Sequence, residues 1–163
     1  MNDPMTILKA DHREAKQLMT ELAETEEGEE RNLMAAELER ALSLHMALEE
    51  EYVYPLVAEK VGADDEEEAE IEHGLARDGL DKVGSMVEMP GFGAAVEMLK
   101  GGILHHVEEE ETEILPGLKE AMSREEWLAL GDALAKAKAD AGAPMPAPRR
   151  RRSTKRSPNR KKK

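Results

Sequence analysis

Two short stretches of the sequence carry histidine and glutamate at the same spacing. Residues 45–55 read HMALEEEYVYP and residues 106–116 read HVEEEETEILP, so each has His first, Glu four residues later and Pro ten residues later. Residues four apart in a helix project from one face. Each stretch can therefore direct one imidazole and one carboxylate at the same metal ion.

A longer repeat relates the two halves of the chain. Adding 61 to the numbers of His12, His45 and Glu49 gives His73, His106 and Glu110. Each half thus supplies one His and, 33 residues later, His-x3-Glu. Such self-similarity indicates a duplicated structural unit. Two facing copies would form a cage for two metals.

The composition predicts an all-α protein, because Ala, Leu, Glu and Met are abundant while aromatic residues make up only 2% of the chain. Asp3 before Pro4 is typical of a helix start. Apolar residues at spacings of three and four then indicate four bundle helices. Ser123 and Glu126 resemble a capping box that begins a fifth, C-terminal helix.

Some details of these helices are also predicted by the pattern. The second helix should direct Glu49, Tyr52 and Leu56 inward, and Pro55 should end or kink it. Pro116 is expected to close the fourth helix in the same way. Asp64 or Asp65, with Glu67 or Glu68 three residues on, is expected to cap the start of the third helix.

Spacing along the antiparallel helices places the four histidines in one layer, because all helices rise equally per residue. The centre of this up-down-up-down bundle would then hold four imidazoles and two carboxylates, from His12, His45, Glu49, His73, His106 and Glu110. Burying these groups without a partner would cost several kcal/mol per ion. Nitrogen and oxygen donors suit iron, manganese, cobalt, nickel or zinc, and carboxylates between bundle helices can bridge two irons or two manganese ions.

The overall composition limits the classes of site. The chain has no cysteine, which excludes disulfides, thiolate metal sites and cysteine nucleophiles. A charged N-terminus and the lack of any run of about 18 apolar residues predict a protein of the cytoplasm with no membrane segment.

Charge divides the chain into two parts. The 36 acidic and 13 basic residues before Arg149 give a formal charge of −23, whereas residues 149–163 carry ten Lys and Arg. We predict a metal-binding bundle over residues 1–141 and a disordered Pro-rich, basic tail over 142–163. The tail could contact nucleic acid without sequence specificity, fold back on the acidic body, or only increase its solubility.

With these residues in place, the chain resembles the hemerythrin-like, HHE cation-binding family in its bacterial branch. The resemblance rests on KADHREA, HMALEEEYVYP, EIEHGLARDGL and HHVEEEETEILP, and it covers roughly Asp3 to Asp140. It implies a four-helix bundle with a non-haem di-iron centre. The ligands would be His12, His45, His73 and His106, with Glu49 and Glu110 as bridges; manganese or zinc is an alternative to iron.

One position departs from the oxygen-carrying members of that family. They have a fifth His one turn after the third, where this chain has Arg77. The resemblance therefore favours a protein that binds or reacts with oxygen species, by peroxide removal, ferrous iron oxidation or iron handling. The alternatives are a module that senses or binds oxygen, nitric oxide or redox state without turnover, and a nucleic-acid-associated protein localised by its tail. The sequence leaves the oligomeric state open.

Four further side chains near the motifs have simple structural interpretations. His105 is expected to lie at the surface or behind the ligands, because its repeat counterpart is Leu44. Tyr52 and Tyr54 are expected to fill the core in preference to a redox or hydrogen-bonding role. Glu113 is expected to be a solvated carboxylate at the end of the bundle in preference to an extra metal ligand.

Overall fold

The computed structural model describes residues 2–144, and the predicted basic tail lies outside the described residues, except for its first three. All regular structure in this range is helical, as predicted. In chain order the α-helices are α1 Pro4–Glu24, α2 Glu29–Leu48, α3 Tyr54–Lys60, α4 Ala63–Ser85, α5 Phe92–Glu109, α6 Leu115–Ala121 and α7 Arg124–Asp140. None of the described helices is long and apolar enough to cross a membrane.

Two π-helical segments join neighbouring α-helices into longer rods. The first π segment, Glu49–Val53, joins α2 to α3, and the second, Glu110–Ile114, joins α5 to α6. Helix α1, the α2–α3 rod, α4 and the α5–α6 rod form the four-helix bundle, with short connections that make successive rods antiparallel. Helix α7 packs against α1 beside the bundle.

The prolines do not end their helices, contrary to the closure expected at Pro116 and to the first of the two outcomes expected at Pro55, an end or a kink. Each lies in the first turn of the α-helix that follows a π segment, and the chain remains helical to Lys60 after Pro55 and to Ala121 after Pro116. In a π turn the hydrogen bond runs from residue i+5, as from the Tyr54 N–H to the Glu49 carbonyl. Proline has no N–H to donate, and the changed hydrogen-bond pattern of this wider turn tolerates the missing donor.

The π segment also changes which side chains face inward. One extra residue in the turn rotates everything after it by about 100° round the helix axis. Tyr52 and Leu56 are therefore only half-buried, whereas Val53, Tyr54 and Val57 are buried. The predicted inward face beyond Glu49 is wrong by one residue for this reason.

The predicted helix starts have mixed outcomes. Asp3 caps α1 by accepting the Thr6 N–H at 2.8 Å, and Ser123 and Glu126 form a capping box on α7. The predicted acidic cap of α4 is not made, because the helix begins at Ala63 after Gly62, which offers no side chain.

Two contacts attach α7 to the start of the bundle. The Trp127 indole donates to Asp3 at 2.8 Å. Gly131 lies so close to the Asn2 carbonyl that a Cβ at this position would clash with the oxygen. This close approach requires glycine at position 131.

Candidate metal centre

The four predicted histidines meet in the middle of the bundle, one from each rod. All are buried, and their Nε2 atoms point inward in two pairs. The Nε2 atoms of His12 and His45 lie 3.0 Å apart, and those of His73 and His106 lie 3.2 Å apart. Equal rise along the antiparallel rods thus brings the four imidazoles to one level, as the spacing predicts.

Glu49 lies between the two histidine pairs. It is fully buried at the start of the first π segment. Its Oε1 is 3.0 Å from His45 Nε2, and its Oε2 is 3.3 Å from His73 Nε2. One carboxylate oxygen for each pair is the arrangement that a bridging ligand requires.

Glu110, the repeat counterpart of Glu49, is equally buried but is placed differently. Its Oε2 lies 3.2 Å from His12 Nε2, across the bundle. The second pair is instead grouped with Glu49. The Nε2 atom of His106 has the hydroxyl of Tyr54 at 3.2 Å.

The buried carboxylates fit a metal, because their oxygens lack other partners. Both oxygens of Glu49 and Oε2 of Glu110 are buried and lie in no hydrogen-bond geometry, despite the short distances to imidazole nitrogens. Leaving such groups unpaired costs several kcal/mol each. Four imidazoles and two carboxylates, with no thiolate, suit the divalent first-row metals named above.

Without a metal, protons hold these groups together. Burial lowers the pKa of His12, but the adjacent carboxylates of Glu110 and Glu49 outweigh burial and raise the pKa to about 10. Burial also lowers the pKa of His45, but the charge of Glu49 and the hydrogen bond to Asp11 outweigh burial and raise the pKa to about 9. Burial raises the pKa of Glu49, yet His45 and its other imidazole neighbours hold it well below the usual value. A metal ion would displace these protons.

A second layer of carboxylates orients the imidazoles. The Nδ1 atom of each histidine faces one carboxylate oxygen. The pairs are His12 with Glu111 at 2.8 Å, His45 with Asp11 at 3.4 Å, His73 with Glu50 at 2.9 Å and His106 with Glu72 at 2.6 Å. A carboxylate on Nδ1 keeps that proton in place and leaves Nε2 free to bind a metal.

The sequence analysis did not identify this layer, although the repeat contains it. Adding 61 converts Asp11 to Glu72 and Glu50 to Glu111. The exchange is reciprocal, because Glu50 of the first half orients His73 of the second and Glu111 of the second half orients His12 of the first. Extending the 61-residue comparison to every acidic residue would have found all four.

Cations support three of these carboxylates from outside. Arg77, at the position of the additional histidine in oxygen carriers, reaches away from the centre and donates to both oxygens of Glu50 at 2.8 Å. Lys9 lies 3.2 Å from Glu111, and the buried Lys138 of α7 donates to Asp11. Arg77 therefore acts through Glu50 on the orientation of His73.

Tyr54 has a polar role at the centre, which the sequence analysis ranked below core filling. Its buried hydroxyl lies 3.2 Å from the Nε2 atoms of both His73 and His106. It donates to Glu110 Oε1 at 3.2 Å. Leu115 occupies the equivalent position in the second half, so the hydroxyl is present on one side only. Tyr54 thus has a polar role, and its oxygen is a further candidate donor for a metal at this pair.

Two other side chains lie at the surface. The His105 side chain is 63% exposed, with Nε2 3.4 Å from Glu109 and 3.7 Å from Glu72. Glu113 is exposed and does not join the buried groups.

A small cavity of about 10 Å³ borders the four imidazoles. Its apolar lining comes from Leu42, Met46, Ile103 and Val107. A cavity of this size is close to the minimum for one water molecule. It limits any ligand beside the histidines to a very small one.

Comparison with known proteins agrees with this architecture. Residues 3–118 match the sequence profile described as Hemerythrin HHE cation binding domain. The structure is similar to the crystal structure of a hemerythrin HHE cation binding domain-containing protein from Mycobacterium kansasii, with a TM-score of 0.76 and 25% identity over 87% of this chain and 89% of that one. A search of curated proteins gives no match.

Proposed function

The chain belongs to the hemerythrin HHE cation-binding domain family, and from this premise we propose that it holds two iron ions and reacts with small oxygen species. The buried, unpartnered oxygens of Glu49 and Glu110 are the observation that carries the proposal. His12 and His45 would hold one ion, His73 and His106 the other, with Glu49 between them. Manganese or zinc would fit the same donor atoms.

Bound iron would supply one-electron redox chemistry, and the chain's own residues would control access and protons. The cavity at the imidazoles is too small for an organic substrate. Its apolar walls, which include Leu42 and Ile103, disfavour bulk water next to the imidazoles. Size and polarity therefore support small oxygen species as the ligands.

Tyr54 and Glu110 supply a buried proton position next to the histidines. The hydroxyl proton lies on Tyr54, because burial and then the charges of Glu49 and Glu110 raise the pKa of this phenol above its usual value. The hydroxyl donates to Glu110 Oε1 at 3.2 Å. A protonated phenol here can hydrogen-bond an oxygen atom that carries negative charge.

Peroxide removal or ferrous iron oxidation is favoured over reversible oxygen carriage. Arg77 points away to Glu50 and provides no fifth imidazole. The Tyr54 oxygen lies at the His73–His106 pair instead. An oxygen-rich donor set stabilises ferric iron, which opposes repeated reversible oxygenation.

Anaerobic loading with ferrous iron tests the proposal. Two irons per chain, followed by peroxide consumption with oxygen evolution or by ferrous oxidation under oxygen, are the expected results. Reversible oxygen uptake over many cycles would overturn the proposed reaction and favour carriage. A stable spectrum with oxygen or nitric oxide but no turnover would instead support the alternative, a binding or sensing module.

A further inference from the structure

The two halves of the centre differ in what surrounds their equivalent outer carboxylates. Asp11 accepts a hydrogen bond from the buried ammonium of Lys138, which comes from α7. Its repeat counterpart Glu72 has no lysine or arginine within 4.0 Å among the described residues. Its Oε1 instead faces His105, whose side chain is 63% exposed.

Glu72, His105 and Glu109 form a group of donors at the open surface of the bundle. One donor atom from each lies within 4.8 Å of the other two. His105 and Glu109 are one turn apart on α5, with Nε2 and Oε1 separated by 3.4 Å, and Glu72 approaches from α4. Imidazole and carboxylate groups are both donors that divalent first-row transition metals accept.

Glu72 uses its two oxygens for different partners. Oε2 accepts the hydrogen bond from His106 Nδ1 at 2.6 Å, whereas Oε1 is the atom that faces His105. An ion bound to Oε1 would leave the orientation of His106 intact. Glu72 and His105 also line an open groove of about 720 Å³ between α4 and α5, which gives an ion access from solvent.

The repeat shows that these donors are specific to the second half. His105 and Glu109 correspond to Leu44 and Leu48, which cannot bind a cation. In the first half, which has those leucines, the ammonium of Lys138 pairs with the carboxylate of Asp11. The second half has two additional metal-binding side chains at the place where it lacks this lysine.

We propose that Glu72, His105 and Glu109 form an accessory site for a divalent first-row transition metal ion. The ion lies beside the carboxylate of Glu72, as the ammonium of Lys138 lies beside the carboxylate of Asp11. With it bound, the imidazoles of His45 and His106 each face a carboxylate that a cation supports. The accessory site is separate from the six donors of the buried centre.

Equilibrium dialysis of the full chain against Co²⁺, with metal and protein both quantified, tests this site. Three ions per wild-type chain and two per chain of His105→Leu or Glu109→Gln are expected. Leucine is the residue that the first half has at this position, and both side chains are at least partly exposed, so folding should persist. Glu108→Gln, which removes an exposed carboxylate from the same helix, is the matched control and should keep three.

NMR of the histidine side chains during a Zn²⁺ titration shows where the additional ion binds. The ring nitrogens of His105 should shift after those of the buried histidines, and Glu109→Gln should abolish the late shift. Equal ion counts in wild type and His105→Leu, or an unmoved His105 ring, would overturn the site. A wild type that binds one ion, lost in His105→Leu, would support the site while contradicting the proposed two-metal centre.

Discussion

Lys138 and Asp11 form a buried ion pair that connects the last helix of the chain to the metal centre. Lys138 is 4% exposed and donates to Asp11, whose other oxygen faces His45 Nδ1 at 3.4 Å. Helix α7 lies beyond residues 3–118, the part that matches the family profile. A residue outside the matched domain thus acts on a histidine inside it.

Replacing Lys138 by Met should destabilise the metal-free protein by about 3 kcal/mol, because a buried carboxylate loses its cation. The affinity for the metal at His12 and His45 should fall by roughly 10-fold or more, as for other losses behind a metal ligand. Urea unfolding and metal titration measure both effects. Lys136→Met is the control, because Lys136 is 77% exposed and pairs with Asp140 at the surface; equal effects of the two changes would contradict the role of Lys138.

Two metals in the buried centre should require His45. Metal binds only the folded ligand arrangement, so iron or cobalt should raise the melting temperature, and His45→Ala should remove most of that gain. Anaerobic metal analysis and thermal unfolding with and without metal test this. An unchanged metal-dependent shift in the variant would exclude His45 as a ligand, and Gln17→Ala on the surface of α1 provides a control for nonspecific effects.

Tyr54→Phe should keep the fold but alter the metal at His73 and His106. The ring still fills the core, whereas Glu110 loses a donor, at a stability cost of about 1–3 kcal/mol. The optical spectrum of the cobalt-loaded protein should change, and the second equivalent should bind more weakly. Tyr52→Phe, two residues earlier in the preceding π segment, is the matched control, since Tyr52 is only half-buried; identical spectra of wild type and Tyr54→Phe would remove the hydroxyl from the centre.

The sequence predicts the bundle and the six donors because both depend on simple periodicities. Helical spacing defines the inward faces, and the repeat identifies His12 with His73 and Glu49 with Glu110. The polar role of Tyr54 is ranked below core filling because the π turn at Glu49–Val53 interrupts the period of 3.6 residues, and nothing in a helical projection indicates where such a turn occurs. The nearest sequence signal for this π turn is Pro55, which follows it two residues later.

Lys138 is missed for a different reason. It comes from a helix without a repeat counterpart, and only packing determines which of its lysines is buried. Lys138 is buried against Asp11 of α1, whereas Lys136 on the same helix is 77% exposed. Contacts between residues 127 positions apart leave no local pattern.

Stability and metal affinity should respond to pH in opposite directions. The pKa values of His12 and His45 are raised to about 10 and about 9 from 6.5, so their protons stabilise the metal-free fold below pH 6.5. This contribution is lost as pH rises towards 10. Metal competes with the same protons, so affinity should rise over that window. Unfolding and cobalt titrations at pH 6.5, 8 and 9.5 test both trends, and metal-free stability that is flat with pH would contradict the raised pKa values.

Nucleic-acid binding, if the tail has this role, should depend on residues 149–163 alone. Ten cations in fifteen residues would release counterions from phosphates, so log affinity for duplex DNA should fall with log salt at a slope of about −0.9 per contacted phosphate. A chain ending at Pro144 keeps all described residues, including the Ala143 N–H bond to the Lys138 carbonyl.

This shorter chain should lose DNA retention at low salt and still bind metal normally, because the body alone carries −23 and repels phosphates. Fluorescence anisotropy with two unrelated duplexes measures affinity and its lack of sequence preference. Equal retention by both forms would exclude the tail as the binding segment. Absence of binding by the full chain at low salt would instead favour the tail's interaction with the acidic body, which a salt-dependent change in hydrodynamic radius would detect.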